Sequence, residues 1–394
     1  MASVQKLSNA ESIIPGEPFC PTSWKLMFVQ DCNLRCGYCS TGFGRFGDQS
    51  RFMQPDVCSQ LVEMISFTSA TRTRVDVEFG GGELFLRFKE AMLFLDALQR
   101  RLAEQQILVF ADILTNGTVA TEDQLRECLK RRITLTFSVD GPAEAHDAFR
   151  HRADGKPTHR VAFEKWRRYR DMTVTVADPP GCEISTVISG DSRLLDVARF
   201  WREQGVKRYK AVPAELSKFL RPLELEAWQI RCQEYLVDLK VLAFAEAERL
   251  HGRPLEEFEG PSGILRSWQR LARGDSYRPC GAAYDIVAVG ARGDLFPCQG
   301  FVGFAERSIG DVWSGVVPER LLKFRAARVR AQGECQGCWA RFICDGGCFA
   351  SDPAAGVVLN CWNSCEFARA HAEIAVQSFH HWRNGTQQAI ERKK

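Results

Sequence analysis

The sequence has no uninterrupted apolar run long enough to cross a bilayer, and residues 1–21 lack a basic segment followed by an apolar one. These absences predict a cytoplasmic protein without a membrane partner or a secretion signal. The sequence also lacks a large excess of either sign of charge, because it has 52 Lys and Arg and 49 Asp and Glu. The resulting formal charge of +3 gives no reason to expect nucleic acid as a partner. Internal repeats and low-complexity segments are missing as well.

Cysteine, by contrast, is abundant, with 16 among 394 residues. In the cytoplasm cysteines are rarely paired in disulfides, so their clustering decides what they are. Three lie between positions 32 and 39, and eight lie between 280 and 365. We interpret the five scattered ones as ordinary core or surface residues. Those five are Cys20, Cys58, Cys128, Cys182 and Cys232.

The first cysteine group has a CxxxCxxC spacing and follows a strand-like apolar run at 24–29. A glycine-rich stretch, 41–47, comes directly after it. Three thiolates at this spacing can reach one [4Fe–4S] cube and leave its fourth iron open for a small ligand. A zinc site is the alternative, although structural zinc takes four ligands, usually from CxxC pairs. The three cysteines are Cys32, Cys36 and Cys39.

This spacing, with the aromatic Tyr38 before the third cysteine, resembles the radical S-adenosylmethionine (SAM) superfamily. In that family the open iron binds the amino and carboxylate groups of SAM. The resemblance implies that the three cysteines hold the SAM cluster and that reduction of this cluster cleaves SAM. The resulting 5′-deoxyadenosyl radical then abstracts a hydrogen atom from the substrate. Flavodoxin or ferredoxin is the implied electron donor.

Between positions 24 and 212 short apolar runs alternate with amphipathic helical patterns. Six β/α units predict an α/β fold, a parallel sheet curled into a partial (β/α)6 barrel with its chemistry at the carboxyl ends of the strands. Residues 173–180 are compatible with an extra strand or a loop. The predicted strands are 24–30, 75–79, 107–114, 133–139, 183–188 and 208–212. The predicted helices include 55–68, 88–104, 122–131 and 193–204.

The remainder of the chain changes character twice. Helical patterns at 223–250 and 264–273 predict a connector, and a hairpin at 285–296 opens a loop-rich, cysteine-dense segment. That segment has too little apolar content for a core of its own, so we expect bound metal to stabilise it. A last helix is expected at 366–383. The predicted units are an N-terminal extension 1–21, the barrel 22–215, the connector 216–276, the cysteine-rich domain 277–370, and a helix and tail 371–394.

Polar and glycine residues stand where the predicted strands end. After the second strand come Gly81, Gly82 and Glu83, which the resemblance places at the SAM ammonium; a tight turn without function is the alternative. Ser138 is the implied ribose contact, while Asp140 either binds the ribose or shapes the turn. The implied cofactor-binding residues are Tyr38, Gly81, Gly82, Glu83, Asn116, Ser138 and Asp140.

Charged residues follow the fourth predicted strand. Arg150 and Arg160 are weaker candidates for the SAM carboxylate, and a surface position explains each of them equally well. His146 and Asp147 suggest acid/base catalysis, but helix capping is the favoured interpretation. No catalytic residue is predicted.

The second cysteine group resembles the SPASM extension found in part of this superfamily. Its eight thiolates suffice for two auxiliary [4Fe–4S] clusters, which makes three clusters in all. By the family pattern, Cys335, Cys338 and Cys344 hold an outer cluster. Likewise Cys280, Cys298 and Cys348 hold an inner one. Whether Cys361 or Cys365 completes each set stays open, and a zinc ribbon remains the alternative.

The combined resemblance implies an oxidoreductase that matures a ribosomally made peptide by an oxidative cross-link or thioether. Gln299 stands where sulfatase-maturing relatives carry an acid, which makes formylglycine formation less favoured. About thirty residues precede the first cysteine group, too few for a leader-recognition domain, so a separate protein is expected to bind any leader. Peptide splicing, sulfatase-type maturation and a non-enzymatic metal scaffold are the alternatives.

Overall fold

The computed structural model describes residues 19–217, 225–251, 253–274, 280–327, 335–344, 347–351, 358–359 and 365–391. A parallel sheet forms its centre, in the order β1-β3-β4-β5-β6-β7. Every predicted barrel strand is confirmed to within two residues at each end. The short β2 pairs antiparallel with β1. The strands are β1 (Ser23–Gln30), β2 (Arg51–Phe52), β3 (Arg74–Gly81), β4 (Leu108–Thr115), β5 (Thr134–Ser138), β6 (Cys182–Ile188) and β7 (Arg208–Pro213).

Helices separate these strands along the chain. Pro55 occupies the first turn of the first one, where its missing N–H costs nothing, and Thr121 forms a capping box with Gln124 at the third. Residues 173–180 form the end of a helix and a loop, not a strand. The helices are α1 (Pro55–Thr68), α2 (Phe88–Ala103), α3 (Glu122–Lys130), α4 (Ala143–Asp147), α5 (His159–Thr173) and α6 (Leu194–Glu203).

Alternation along the strands separates a helix-covered face from a polar one. In β1, Trp24 and Leu26 are fully buried in the main core, whereas Lys25 lies on the opposite face. Lys25 interacts electrostatically with Lys210 of β7. In a flat sheet these two strands would lie about 24 Å apart, at about 4.8 Å per strand. The sheet therefore curves around a lumen, which confirms the predicted partial barrel.

The later segments add strands to both edges of this sheet. The hairpin of β10 (Ile286–Val289) and β11 (Asp294–Phe296) is confirmed, and β10 pairs in parallel with β1. At the far edge β9 (Gly260–Pro261) pairs with β7. The smaller strands are β8 (Leu216–Ser217), β12 (Gly310–Asp311), β13 (Gly315–Val316) and β14 (Val358–Leu359). The sequence patterns did not indicate that the sheet continues past the barrel.

Two long helices, α7 and α11, pack against each other outside the sheet. The predicted last helix is confirmed and extends further than expected, to Glu391. None of the described helices is long and apolar enough to cross a membrane. The helices of this half are α7 (Leu225–Leu250), α8 (Ser262–Arg273), α9 (Pro318–Ala326), α10 (Arg341–Cys344) and α11 (Cys365–Glu391).

The cysteine-dense segment shares an apolar cluster with the barrel. Met27 of β1 and Phe46 of the first cysteine loop pack with Phe301 and Phe304 of that segment. Gly303 fits tightly here, because a Cβ at this position would lie 2.4 Å from the Phe46 carbonyl oxygen. The segment is thus held by apolar packing across the sheet edge, in addition to any metal it binds.

Candidate SAM and cluster site

The first cysteine loop leaves the carboxyl end of β1. Cys36 is buried, and Cys32 and Cys39 are partly buried beside it. Backbone N–H groups point at two of the sulfurs, from Leu34 to Cys32 Sγ at 3.4 Å and from Phe43 to Cys39 Sγ at 3.1 Å. Such N–H donors stabilise sulfur-borne negative charge. The backbone of the loop is therefore arranged to receive thiolates.

The donor set fits an iron–sulfur cube. Each cysteine of a cube binds a different iron, so the sulfurs need not converge on one point. In the described ranges no three His, Cys, Asp or Glu side chains meet as ligands of a single ion. Burial raises the pKa of Cys32 to about 12 and that of Cys36 to about 11. Thiols this deeply buried need cationic partners to stay ionised, which is what iron supplies.

The glycine turn after β3 packs against the backbone of this loop. A Cβ on Gly82 would lie 2.0 Å from the carbonyl oxygen of Asp31. Gly81 has a φ of +95°, and its Cβ would meet the sulfur of Met27 at 2.8 Å. The fold itself thus requires glycine at both positions. Their predicted contact with SAM stays a prediction.

Glu83 connects the glycine turn to the end of β4. Its side chain is 1% exposed, and its carboxylate accepts hydrogen bonds from Thr115 Oγ1 and from the backbone N–H of Asn116, both at 2.8 Å. The backbone N–H of Phe85 also donates to it, at 3.2 Å. Burial raises the pKa of Glu83, and these donors partly offset that rise. The carboxylate therefore has a structural role, whether or not it also contacts SAM.

Asn116 reaches from the end of β4 to the cysteine loop. Its Nδ2 donates to Asn33 Oδ1 at 2.9 Å and lies 3.6 Å from Cys32 Sγ. Thr41, which the sequence analysis did not single out, makes a second link, because its hydroxyl donates to the carbonyl of Gly81 at 3.3 Å. No spacing pattern marked Thr41. The loop, the glycine turn and the end of β4 form one hydrogen-bonded unit.

Asp140, at the end of β5, is the centre of a buried polar network. One carboxylate oxygen accepts from the Tyr38 hydroxyl and from Arg150 Nε at 2.8 Å. The other accepts from the backbone N–H of Val187 at 2.9 Å. Ser138 is buried two residues earlier in the chain. Asp140 thus connects three separate segments of the protein, and its predicted ribose contact stays a prediction.

The two arginine candidates for the SAM carboxylate differ in position. Arg150 is 9% exposed and pairs with Asp140, so it belongs to the site. The Arg160 side chain is 84% exposed and lies 3.7 Å from Glu164, the surface position given as its alternative. Of the two, only Arg150 is placed next to the cysteine loop, where its Nη1 lies 3.9 Å from Cys36 Sγ. Its predicted contact with the SAM carboxylate stays a prediction.

Asp147 caps a helix, as the capping interpretation predicted, whereas His146 instead bonds the segment before α4. The Asp147 carboxylate accepts from the backbone N–H groups of Thr158 and His159 at 2.7 and 2.8 Å, at the start of α5. His146 Nδ1 accepts from the backbone N–H of Asp140 at 3.3 Å. Burial, followed by the charges of Arg150 and His159, lowers the pKa of His146 to about 3.

The later cysteines are partly described. Burial, then the neighbouring thiols of Cys348 and Cys280, raises the pKa of Cys298 to about 12, so these three lie near one another. Lys25 also acts on Cys298, which places the group beside the barrel lumen. Cys361 lies outside the described residues. Cys365 is exposed at the start of α11, and Cys335, Cys338 and Cys344 lie around α10.

Comparisons with known proteins agree with this geometry. Residues 26–206 match the family model of the radical SAM superfamily. A cysteine-type anaerobic sulfatase-maturating enzyme of Clostridium perfringens is 22% identical over 339 residues, which cover 80% of this chain and 85% of that protein. The structure of native anSMEcpe with bound AdoMet and Cp18Cys peptide has a TM-score of 0.74 at 19% identity and covers 94% of this chain and 99% of its own. Streptococcus suis SuiB bound to S-adenosylmethionine has a TM-score of 0.56 at 17% identity, with 89% and 76% covered.

Proposed function

We propose that this chain, whose residues 26–206 match the radical SAM family model, matures a peptide by an oxidative modification, a cross-link or a thioether. The observation that carries the proposal is a polar lumen bounded by two cysteine groups. The first cysteine loop lies at the carboxyl end of β1. Cys280 and Cys348 lie near Cys298. Cys298 is close enough to Lys25 for the two side chains to interact electrostatically.

The lumen carries ionisable side chains at one level of the strands. Lys25 and Glu78 form an ion pair across β1 and β3. Next to them, Asp112 of β4 accepts a hydrogen bond from Thr136 of β5 at 3.2 Å. Burial, followed by Glu78 and Glu183, raises the pKa of Asp112 to about 7. Polar walls of this kind suit the amides and polar side chains of a peptide better than an apolar metabolite.

The proposed cofactors are SAM and three [4Fe–4S] clusters. When bound, SAM and its cluster supply the radical that removes a hydrogen atom from carbon. The chain's own part is to hold them with Cys32, Cys36 and Cys39 and to place the peptide in the lumen. Auxiliary clusters on the later cysteines would accept the electron left on the peptide. One hydrogen of the peptide goes to the 5′-deoxyadenosyl radical and the second leaves as a proton when that electron is lost, so the peptide loses two hydrogens in all.

The proposed partners follow from this chemistry. A flavodoxin or ferredoxin supplies low-potential electrons, and a separate small protein presents the peptide if the peptide has a leader. SuiB has been solved with its precursor peptide SuiA, and its fold resembles that of this chain. That likeness supports a peptide as the substrate class here.

A second candidate is sulfatase-type maturation. The likeness to curated sulfatase-maturating enzymes extends over 80% of this chain, which supports the conversion of a cysteine or serine to formylglycine. Gln299, a neutral residue directly after Cys298, counts against it. An amide cannot take up a substrate proton at neutral pH, whereas an acid at that place can.

The test is anaerobic turnover with SAM and dithionite, using peptides encoded beside the gene and a sulfatase-derived peptide. We expect a product that has lost two hydrogens and does not react with a hydrazide. A serine oxidised to an aldehyde also loses two hydrogens, so hydrazide labelling separates formylglycine from a cross-link. An excised fragment would indicate splicing. A colourless protein that releases no 5′-deoxyadenosine would indicate a metal scaffold.

A further inference from the structure

Arg150 is the buried cation that lies against a thiol of the first cysteine loop. Its Nη1 lies 3.9 Å from Cys36 Sγ, within hydrogen-bond range for sulfur. Its carbon Cζ lies 5.3 Å from the centre of the Tyr38 ring, over the ring face. Both neighbours belong to the CxxxCxxC motif. The guanidinium therefore contacts the motif at two places.

The backbone holds Arg150 in this position. The residues on either side of it pair with the cysteine loop, through Gly37 N–H to the Phe149 carbonyl and Arg35 N–H to the His151 carbonyl, both at 2.8 Å. The Thr158 hydroxyl donates to the carbonyl of Arg150 itself at 2.6 Å. Backbone hydrogen bonds thus join the segment to the loop, and the distance to Cys36 does not depend on a flexible side chain alone.

Asp140 holds the guanidinium from the other side. Its carboxylate accepts from Arg150 Nε at 2.8 Å, which leaves the Nη1 end directed at sulfur. The backbone N–H of Val187 and the Tyr38 hydroxyl occupy the remaining positions on the carboxylate. A planar fork fixed through Nε keeps Nη1 in place, which a lysine cannot reproduce.

We propose that Arg150 is a positioning residue that sets the reduction potential of the SAM cluster through Cys36. Reduction adds one negative charge to the cluster. A buried cation with an N–H donor on a ligand sulfur stabilises the reduced form more than the oxidised form, and so raises the potential. Asp140 lowers this effect because its charge is opposite. The proposal rests on Cys36 as a cluster ligand and is independent of the peptide substrate.

The experiment is an anaerobic redox titration of the full chain followed by electron paramagnetic resonance, without peptide. The signal of the SAM cluster is the one absent from a variant with Cys32, Cys36 and Cys39 all changed to Ala. In Arg150→Met we expect the midpoint potential to fall by at least about 59 mV, which corresponds to a tenfold change in the equilibrium constant of a one-electron reduction. Arg152→Met is the matched control, because Arg152 neighbours the same loop but its side chain is 60% exposed. Its potential should equal that of the wild type.

Asp140→Asn tests the same proposal from the opposite direction. This variant keeps the guanidinium and removes the opposing charge, so the potential should rise. Arg150→Lys keeps a cation at this position but lacks the planar guanidinium. The midpoint potential of this variant should lie between those of Arg150→Met and the wild type. If Arg150→Met does not retain the cluster, the Asp140→Asn and Arg150→Lys measurements decide. Unchanged potentials in the variants that keep the cluster would overturn the proposal and leave Arg150 a purely structural residue.

Discussion

The Cα of Gly82 faces the carbonyl oxygen of Asp31 so closely that a Cβ would lie 2.0 Å from it. Asp31 directly precedes the first cysteine of the CxxxCxxC motif. The Val29 carbonyl oxygen lies 2.5 Å from the same Cβ position. A side chain here collides with backbone, which cannot rotate away as a side-chain tip would. The glycine turn is therefore part of the support of the cysteine loop.

Gly82→Ala should destabilise the protein and displace the cysteine loop. Overpacking against backbone costs about 1–3 kcal/mol, and we expect the upper part of that range. Chemical unfolding and iron content measure the two effects. Gly263→Ala is the control, because nothing lies within 4 Å of its Cβ position. A Gly82→Ala protein of normal stability and iron content that binds SAM weakly would instead favour a direct contact with SAM.

Replacing Cys32, Cys36 and Cys39 together with Ala should abolish 5′-deoxyadenosine release from SAM. The iron bound by the later cysteines should remain, because Cys280, Cys298 and Cys348 lie in a separate group. Iron analysis and chromatography of the products test this. Cys128→Ala is the control, since Cys128 is buried in the barrel core. Continued SAM cleavage by the triple variant would disprove the ligand assignment.

His146 should make stability depend on pH. Its pKa is about 3 in the folded protein and about 6.5 when unfolded, so the unfolded state binds the extra proton between these values. The stabilisation that neutral His146 contributes is present above pH 6.5 and is lost on acidification, by on the order of 1–2 kcal/mol between pH 6.5 and pH 5. Unfolding of the wild type and of His146→Gln at several pH values measures this. Parallel pH profiles for the two proteins would contradict the prediction.

Asp147→Ala should remove the cap of α5. Two backbone N–H groups would lose their acceptor, at a cost of about 1–2 kcal/mol in the free energy of unfolding. Asp171→Ala, at the other end of the same helix, is the control and should cost nothing, because a carboxylate is unfavourable there. If Asp147→Ala lost activity while its stability stayed unchanged, the result would favour the alternative interpretation, in which Asp147 takes part in acid/base catalysis.

Much of the barrel could be predicted because its signals are local. Apolar runs and helical periodicity identified all six barrel strands, and the turn at residues 292–294 identified the hairpin. Local spacing also identified the first cysteine loop, since three candidate ligands on one short loop need no information about the rest of the fold. The capping role of Asp147 was favoured for the same reason.

Contacts between distant residues were decided only by the tertiary structure. The sequence alone determined the CxxxCxxC spacing of the candidate ligands, the order of strands and helices, and the presence of glycine after β3. The path of the chain decided that β10 joins β1, that Gly82 is needed for backbone packing against Asp31, and that Arg150 lies beside Cys36, 114 residues away. Composition and periodicity report which face of an element is apolar. They do not report which strand ends meet, because that depends on how the whole sheet curves.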